Sequence, residues 1–293
     1  MRYDMHSVTV LMSTYNGEKY VEQQIDSILS QQDVDIKLLV RDDGSTDATL
    51  SILNKYGDRI NIIRGENLGY AKSFWTLLRI ARGTEYYAFS DQDDIWLPEK
   101  LFRSIASIEN IKGPSLATGN VLRVDEKNNL QRGELFPIHG PLTLAQALQK
   151  SILPGCTFVF NESARALLAR YDGVMESHDW LAYIVITALG QVSYVDEPGM
   201  LYRIHSNNAI GVDGWAQLQE KRFQRLLRPS LRIRSRVAND VLLTYEDILG
   251  SKEAETLAIL ACYRDSVANR IRLIFDQRFP GLAFKIYALL GRL

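Results

Sequence analysis

VTVLMSTYNGEKYVEQQIDSILSQQDVDIKLLVRDDGSTD, residues 8–47, switches between two periodicities. Val8 to Ser13 is a short run of β-formers and reads as a buried strand. Tyr20 to Ser30 then places Val21, Ile25, Ile28 and Leu29 at helical spacing, and Ile36 to Val40 returns to strand character. Working outward, Asp47 to Tyr56 reads as a helix behind a Ser45-Thr46-Asp47 cap, Ile60 to Ile63 as a third strand, and Ala71 to Ala81 as a helix with Phe74, Leu77 and Leu78 inward. Tyr86 to Phe89 makes a fourth strand. Strands alternating with helices of about ten residues predict an α/β fold, a mainly parallel sheet flanked by helices. Ligands of such sheets bind beyond the carboxyl ends of the strands. Polar residues gather at those ends: Thr14-Tyr15-Asn16, Asp42-Asp43-Gly44-Ser45, Asn67-Leu68-Gly69 and Asp91-Gln92-Asp93-Asp94.

The whole chain, 293 residues with 46% apolar and 24% charged side chains, has the composition of a globular protein, which excludes disorder and collagen-like repetition. Cys156 and Cys262 are its only cysteines, without a CxxC or a Cys/His cluster, so a reducing cytosol is the expectation and a structural zinc site is not. The apolar run Val8 to Met12 is too short for a signal-peptide core of about 7 to 15 residues. Trp180 to Gly190 is the nearest approach to the roughly 18 apolar residues of a spanning helix.

The ligand of the crevice follows from what the strand ends carry. The first turn has no GxGxxG and the chain has no GxxxxGK[ST], which removes the main support for dinucleotide and P-loop chemistry. Asp91, Asp93 and Asp94 repel one another and any phosphate unless a divalent cation joins them, and hard oxygen ligands suit Mg2+ or Mn2+. A nucleoside diphosphate is then the expected guest. The competing reading, Asp94 as a helix cap, loses weight beside the second acidic pair, Asp42 and Asp43, which can accept hydrogen bonds from a base imide or a ribose hydroxyl. Tyr15 either stacks on the base or simply packs.

STYNGEKYVEQQIDSILSQ, RDDGSTD, ENLGYAKSF and FSDQDDIWLPEKL, in this order and spacing, closely resemble family 2 inverting glycosyltransferases with the GT-A, Rossmann-like fold. PGCTFVFN (154–161), SHDWL (177–181) and DEPGMLYRIHSNNAIG (196–211) resemble more loosely the acceptor-side half of bacterial members, especially rhamnosyltransferase-like enzymes of surface polysaccharide assembly. The resemblance implies that Thr14, Tyr15 and Asp42 hold the nucleoside, with Asn16, Asp43, Asn67, Gly69, Lys72, Asp91 and Arg203 completing the donor site. It makes Asp91 and Asp93 the DxD, Asp93 the more direct metal ligand, and brings His205 to metal or diphosphate. Family members place the catalytic base in an ED pair; here His178-Asp179 stands instead, so Asp179 alone inherits the role.

The organisation implied is a glycosyltransferase domain over 1–214, with a nucleotide-sugar half (1–105) and an acceptor half (106–214), followed by a helical extension over 215–293. Charge divides at the same place, with 20 basic and 27 acidic residues up to Gly214 against 14 and 8 after it. Lys221, Arg222, Arg225, Arg228, Arg232, Arg234 and Arg236 interleave with apolar residues, and Phe279, Leu282, Ala283, Ile286, Tyr287, Leu290 and Leu293 form one helical stripe. Such a stripe either covers the core or lies in a membrane interface. No nucleic-acid-binding pattern accompanies the basic residues.

The expectation is therefore a metal-dependent transferase on the cytoplasmic face of the inner membrane, moving a sugar, dTDP-rhamnose being a candidate donor, to a lipid-linked glycan. The alternatives are a catalytically idle nucleotide- or glycan-binding subunit and, lacking its glycine-rich signature, a sugar nucleotidyltransferase.

Overall fold

The computed structural model describes residues 5–131, 142–150, 152–205, 233–291 and 293. The basic cluster 221–232 lies outside them.

The alternation at the start of the chain is realised as β1 (His6–Thr14), α1 (Val21–Leu29), β2 (Val34–Asp42), α2 (Thr49–Asn54), β3 (Asn61–Arg64), α3 (Tyr70–Ile80) and β4 (Tyr86–Ser90). Then follow β5 (Ile95–Trp96), α4 (Lys100–Ala106), β6 (Ser115–Gly119), β7 (Leu122–Val124), α5 (Leu144–Gln149), β8 (Val159–Asn161), α6 (Glu162–Ala169), α7 (His178–Leu189), β9 (Gln191–Val195) and β10 (Met200–Arg203). Beyond 232 come α8 (Ile233–Thr244), α9 (Ser251–Ala261), α10 (Val267–Phe275) and α11 (Leu282–Leu289).

The main sheet runs β3-β2-β1-β4-β8-β6-β9, with only β8 antiparallel to its neighbours. Central strands are covered on both faces, and the strand period of two sorts their side chains between two layers. Val8, Val10 and Met12 of β1 and Ala88 of β4 join one cluster with Ile25 of α1 and Leu101 of α4, while Leu11, Tyr87 and Phe89 join another with Leu77 of α3 and Ile184 of α7. Helix α7 is buried nearly all round from Trp180 to Ile186, which explains its apolar sequence without a bilayer. Among the described residues no helix is long and apolar enough to cross a membrane.

Register places the ends of the parallel strands side by side. Thr14 pairs with Asp42 across β1 and β2, and Met12 with Ser90 across β1 and β4. A second sheet, β5-β10-β7, stands beside this edge and carries Arg203 to the loop between β4 and β5.

The C-terminal stripe needs correction. Pro280 and Gly281 precede α11, so Phe279 lies in a turn outside the helix, and the stripe splits: Phe279 and Leu293 are buried, whereas Leu282, Ile286 and Leu290 are exposed. The helical face that packs inward carries Phe284 and Ala288. Side chains of α8 to α11, including Val241, Leu260 and Leu273, enter the same cluster as α3, α5, α6 and α7.

Candidate active site

The loops after β1, β2 and β3 tie one another together. Asp42 is buried, and its Oδ1 accepts from Thr14 Oγ1 at 3.1 Å and Ser45 Oγ at 2.6 Å, while its Oδ2 accepts from Ser45 N at 3.0 Å. Asp43, also buried, pairs with the Arg41 guanidinium and accepts from the backbone N–H groups of Leu68 and Gly69, each at 2.9 Å. Both carboxylates thus have protein partners and set loop shape. Asn16, at φ 48°, accepts from Thr46 N at 2.8 Å, and Asn67 accepts from Gly69 N at 3.0 Å, just before α3. The positive φ of Gly69, 79°, lets the chain turn into that helix. Tyr15 and Lys72 are left exposed along this rim.

The acidic loop is fastened to the first loop by Gln92, a residue the sequence reading passed over. Its Oε1 accepts from Tyr15 N at 2.9 Å and its Nε2 donates to Tyr15 O at 3.1 Å. From the other side, β10 braces the same loop. Arg203 is fully buried; its backbone N–H reaches Asp94 Oδ1 at 3.2 Å, and its guanidinium donates to Asp93 O, Gln23 Oε1 and Asn128 Oδ1 at 2.8, 2.7 and 2.9 Å. The guanidinium also sits 4.4 Å from the centre of the Tyr20 ring. Arg203, expected on the donor, also braces the acidic loop. His205, two residues on, stacks on Tyr20 and places Nε2 2.8 Å from Asp93 Oδ2. Asp94 caps no helix: β5 follows it, and α4 begins only at Lys100.

Behind Asp93 the charges crowd. Ligand atoms of Asp91, Asp94 and Cys156 lie within 4.8 Å of one another. Burial, aided by the neighbouring Asp93 and Asp179 carboxylates, pushes the Asp91 carboxyl up to about 7, and burial likewise raises Asp94 well above the usual range. Asp94 Oδ2 is buried without a hydrogen-bond partner among the described residues. A carboxylate oxygen left unpaired inside a repelling cluster is costly, and either a proton or a divalent cation relieves it. The oxygen donors fit a hard ion such as Mg2+ or Mn2+. Cys156 does not, since burial raises its thiol well above the ordinary value and keeps it protonated. Lys100, also buried, lies 3.6 Å from the centre of the Trp96 ring, and burial brings its ammonium down to about 7. Beyond it, a cavity of about 380 Å³ opens between α4 and the turn joining β9 to β10, beside the acidic crevice and not within it.

Asp179 lies in the first turn of α7, its Oδ1 accepting from Trp180 N at 2.7 Å. Burial, and after it the nearby Asp179 carboxylate, raises the Tyr70 hydroxyl, and Asp179 adds to the rise at Asp91. His178 is buried between Phe74, stacked at 4.0 Å, and Phe89, edge-on at 4.8 Å, with neither ring nitrogen hydrogen-bonded; burial lowers it to about 4. Gly155 makes this close packing feasible, for a Cβ there would lie 2.8 Å from Asp179 Cβ and from His178 Nε2. Asp91, Asp93, His205 and Asp179 thus meet at one edge. Tyr15 joins that edge through Gln92, Thr14, Asp42 and Asp43 tie the neighbouring loops together, and Arg203 holds the acidic loop. Gln92, Tyr20, Tyr70 and Gly155 were not singled out by the sequence reading. Gln92, enclosed by three acids, and Gly155, beside Pro154, offered the only local signals.

The model of the family described as Glycosyl transferase family 2 matches residues 9–167, more than half of the chain. The chain belongs to that family. This family 2 glycosyltransferase is 31% identical over 221 residues to the dTDP-rhamnosyl transferase RfbG of Shigella flexneri, covering 69% of this chain and 74% of RfbG. It is 28% identical over 223 residues to the putative teichuronic acid biosynthesis glycosyltransferase TuaG of Bacillus subtilis, covering 74% of this chain and 86% of TuaG. The crystal structure of S. aureus TarS 1-349 in complex with UDP-GlcNAc shares the fold at a TM-score of 0.58 and 19% identity, covering 97% of this chain and 79% of that one. The glycosyltransferase therefore has the GT-A fold expected from its sequence.

Proposed function

We propose that this glycosyltransferase moves a sugar, with inversion, from a nucleoside-diphosphate donor to a lipid-linked glycan of a bacterial surface polysaccharide, using Mg2+ or Mn2+. The observation that carries the reading is the meeting of the Asp91–Asp94 loop, His205 and Asp179 at the carboxyl edge of a parallel sheet. Similarity to a protein named as a dTDP-rhamnosyl transferase favours dTDP-rhamnose, with UDP-hexoses as the second donor class. Similarity to a protein named for teichuronic acid biosynthesis favours a cell-surface glycan as acceptor.

Asp93, Asp91 and His205 would hold the ion, which when bound neutralises charge on the leaving diphosphate. Tyr15, Asn16 and Asn67 on the loops and Lys72 in α3 supply an exposed aromatic ring, amides and an ammonium toward the nucleoside and its phosphates, with Asp42 at the nucleoside and Asp43 shaping the loop beside it. Asp179, a carboxylate on a rigid helical turn, takes the proton of the attacking acceptor hydroxyl. Placing the sugar between Asp179 and the diphosphate aims attack at the face opposite the leaving group, and no covalent sugar–enzyme intermediate is needed. A lipid-linked acceptor puts the enzyme at the cytoplasmic leaflet.

Purified protein incubated with Mn2+ or Mg2+ and a panel of nucleotide sugars should release nucleoside diphosphate from one of them. Asp93→Asn and Asp179→Asn should each remain folded and lose transfer by about a hundredfold or more. Full turnover in either variant removes its assigned role. Donor binding without any turnover in the wild type leaves the binding-subunit reading.

A further inference from the structure

The described C-terminal helices turn one face into the core and another outward. Val267, Ile271 and Phe275 recur at i, i+4 and i+8 of α10 and are 72%, 51% and 77% exposed. Leu282, Ile286 and Leu289 recur at i, i+4 and i+7 of α11, and with Leu290 they are exposed as well, Leu282 at 74%. The two helices touch: Arg270 Nη1 donates to Leu289 O at 3.5 Å, which joins the middle of α10 to the end of α11. Scattered exposed leucines are ordinary on a soluble surface, whereas an exposed apolar row on each of two touching helices is the pattern of a binding face.

Charge narrows the occupant. Residues 264–291 contain five basic and two acidic side chains. Asp276 is engaged by Arg278, and Glu255 of α9 pairs with Arg272 and Arg278, while Arg264, Arg270 and Lys285 have no carboxylate partner among the described residues. Arg264 and Arg270, half-buried with their Nε atoms enclosed, converge beside Gly291: a Cβ there would lie 3.6 Å from Arg270 Nη2 and 3.9 Å from Arg264 Nε. A second copy docking through this face would bring like charges together, since an isologous contact opposes a patch to itself. An anionic bilayer meets both features at once, with apolar side chains entering the acyl boundary and arginines at the headgroups.

We infer that α10 and α11 are an in-plane docking surface for an anionic lipid bilayer. Neither helix is long enough to span, so attachment is peripheral and weakens with salt. The inference deepens the lipid-linked-acceptor reading, yet its evidence is independent of catalysis.

The test is sedimentation of the full chain with vesicles of phosphatidylcholine, with and without phosphatidylglycerol. Wild type should pellet with the phosphatidylglycerol vesicles and be released by high salt. Phe275→Glu combined with Leu289→Glu should lower partitioning by about tenfold or more. Phe102→Glu, at an exposed site of α4 on the opposite layer of the sheet, should bind as wild type. Thermal melting of each variant confirms its fold. Absence of wild-type binding, or unchanged binding by the double variant, overturns the inference. So does a dimer in analytical ultracentrifugation that the double variant dissolves, because the face would then be a self-contact. Nucleoside diphosphate release by the double variant in free solution tests the proposed function separately.

Discussion

His178 stands where the family resemblance calls for an acid, and it behaves as a flat apolar spacer. Burial disfavours the charged form of its ring, and among the described residues neither ring nitrogen has a hydrogen-bond partner. His178→Phe should therefore retain transfer within about threefold and keep the same pH–rate profile. Stability should respond instead. A histidine held at about 4 when folded but at its ordinary value when unfolded leaves the unfolded chain with more bound protons between those limits, so the native state loses stability as pH falls through that window. The phenylalanine variant should lack this loss, and the gap in melting temperature should widen from about pH 6.5 toward 4. Gly155→Ala should cost about 1–3 kcal/mol, because the new methyl enters the space of His178 and Asp179, and it should lower kcat more than it changes KM for the donor. At this scale the sequence shows which residue types are present but not which way they face. For Asp42 and Asp43 the sequence gives no sign of the hydrogen bonds by which they shape their loops, because a carboxylate that shapes a loop and one that meets a nucleotide have the same spelling.

The loop from Asp91 to Asp94 is the element on which the site turns, and its supports come from both directions along the chain: Gln92 to Tyr15, Arg203 to Asp93 and Asp94. Removing a buried charge from such a network typically costs about 3–5 kcal/mol. Arg203→Met should accordingly lower thermal stability and, by loosening the loop, weaken Mn2+ binding measured by calorimetry. The Asp91 carboxyl gives a second handle on the same loop. Because it is pushed up to about 7, the folded protein without metal holds more protons than the unfolded chain between the ordinary carboxylate value and that point. Stability of the metal-free protein should thus fall as pH rises through about 4 to 7, and Asp91→Asn should flatten that slope. The elements carrying the loop, β1 to β4, were readable because each is long enough for its period to show. The small β5-β10-β7 sheet was not: β5 has two residues and β7 three, too few for any pattern, and they pair across long separations in sequence.

Over the whole molecule, the sheet edge expected to bind ligand is the one where the acids gather, since the order of parallel strands follows from helices placed between them. The role of the last sixty residues was less legible. Helical periodicity marks an amphipathic face but not whether core or solvent receives it, and here α8 to α11 use one face for each. Their buried side chains share a cluster with α7, whose first turn carries Asp179. Leu260→Ala should consequently cost about 2–5 kcal/mol and shift a single unfolding transition of the whole chain, observed by calorimetry, with no separate melting of the extension.

The two thiols divide along the same lines. Cys156 is sealed against the acidic loop and held protonated, whereas Cys262 is exposed at the end of α9, with its carbonyl accepting from Asn269 Nδ2 of α10 at 3.0 Å. Maleimide chemistry on the native polypeptide should then attach a single fluorophore, next to the outward row that begins at Val267. Its emission would report arrival at a bilayer with no engineered cysteine.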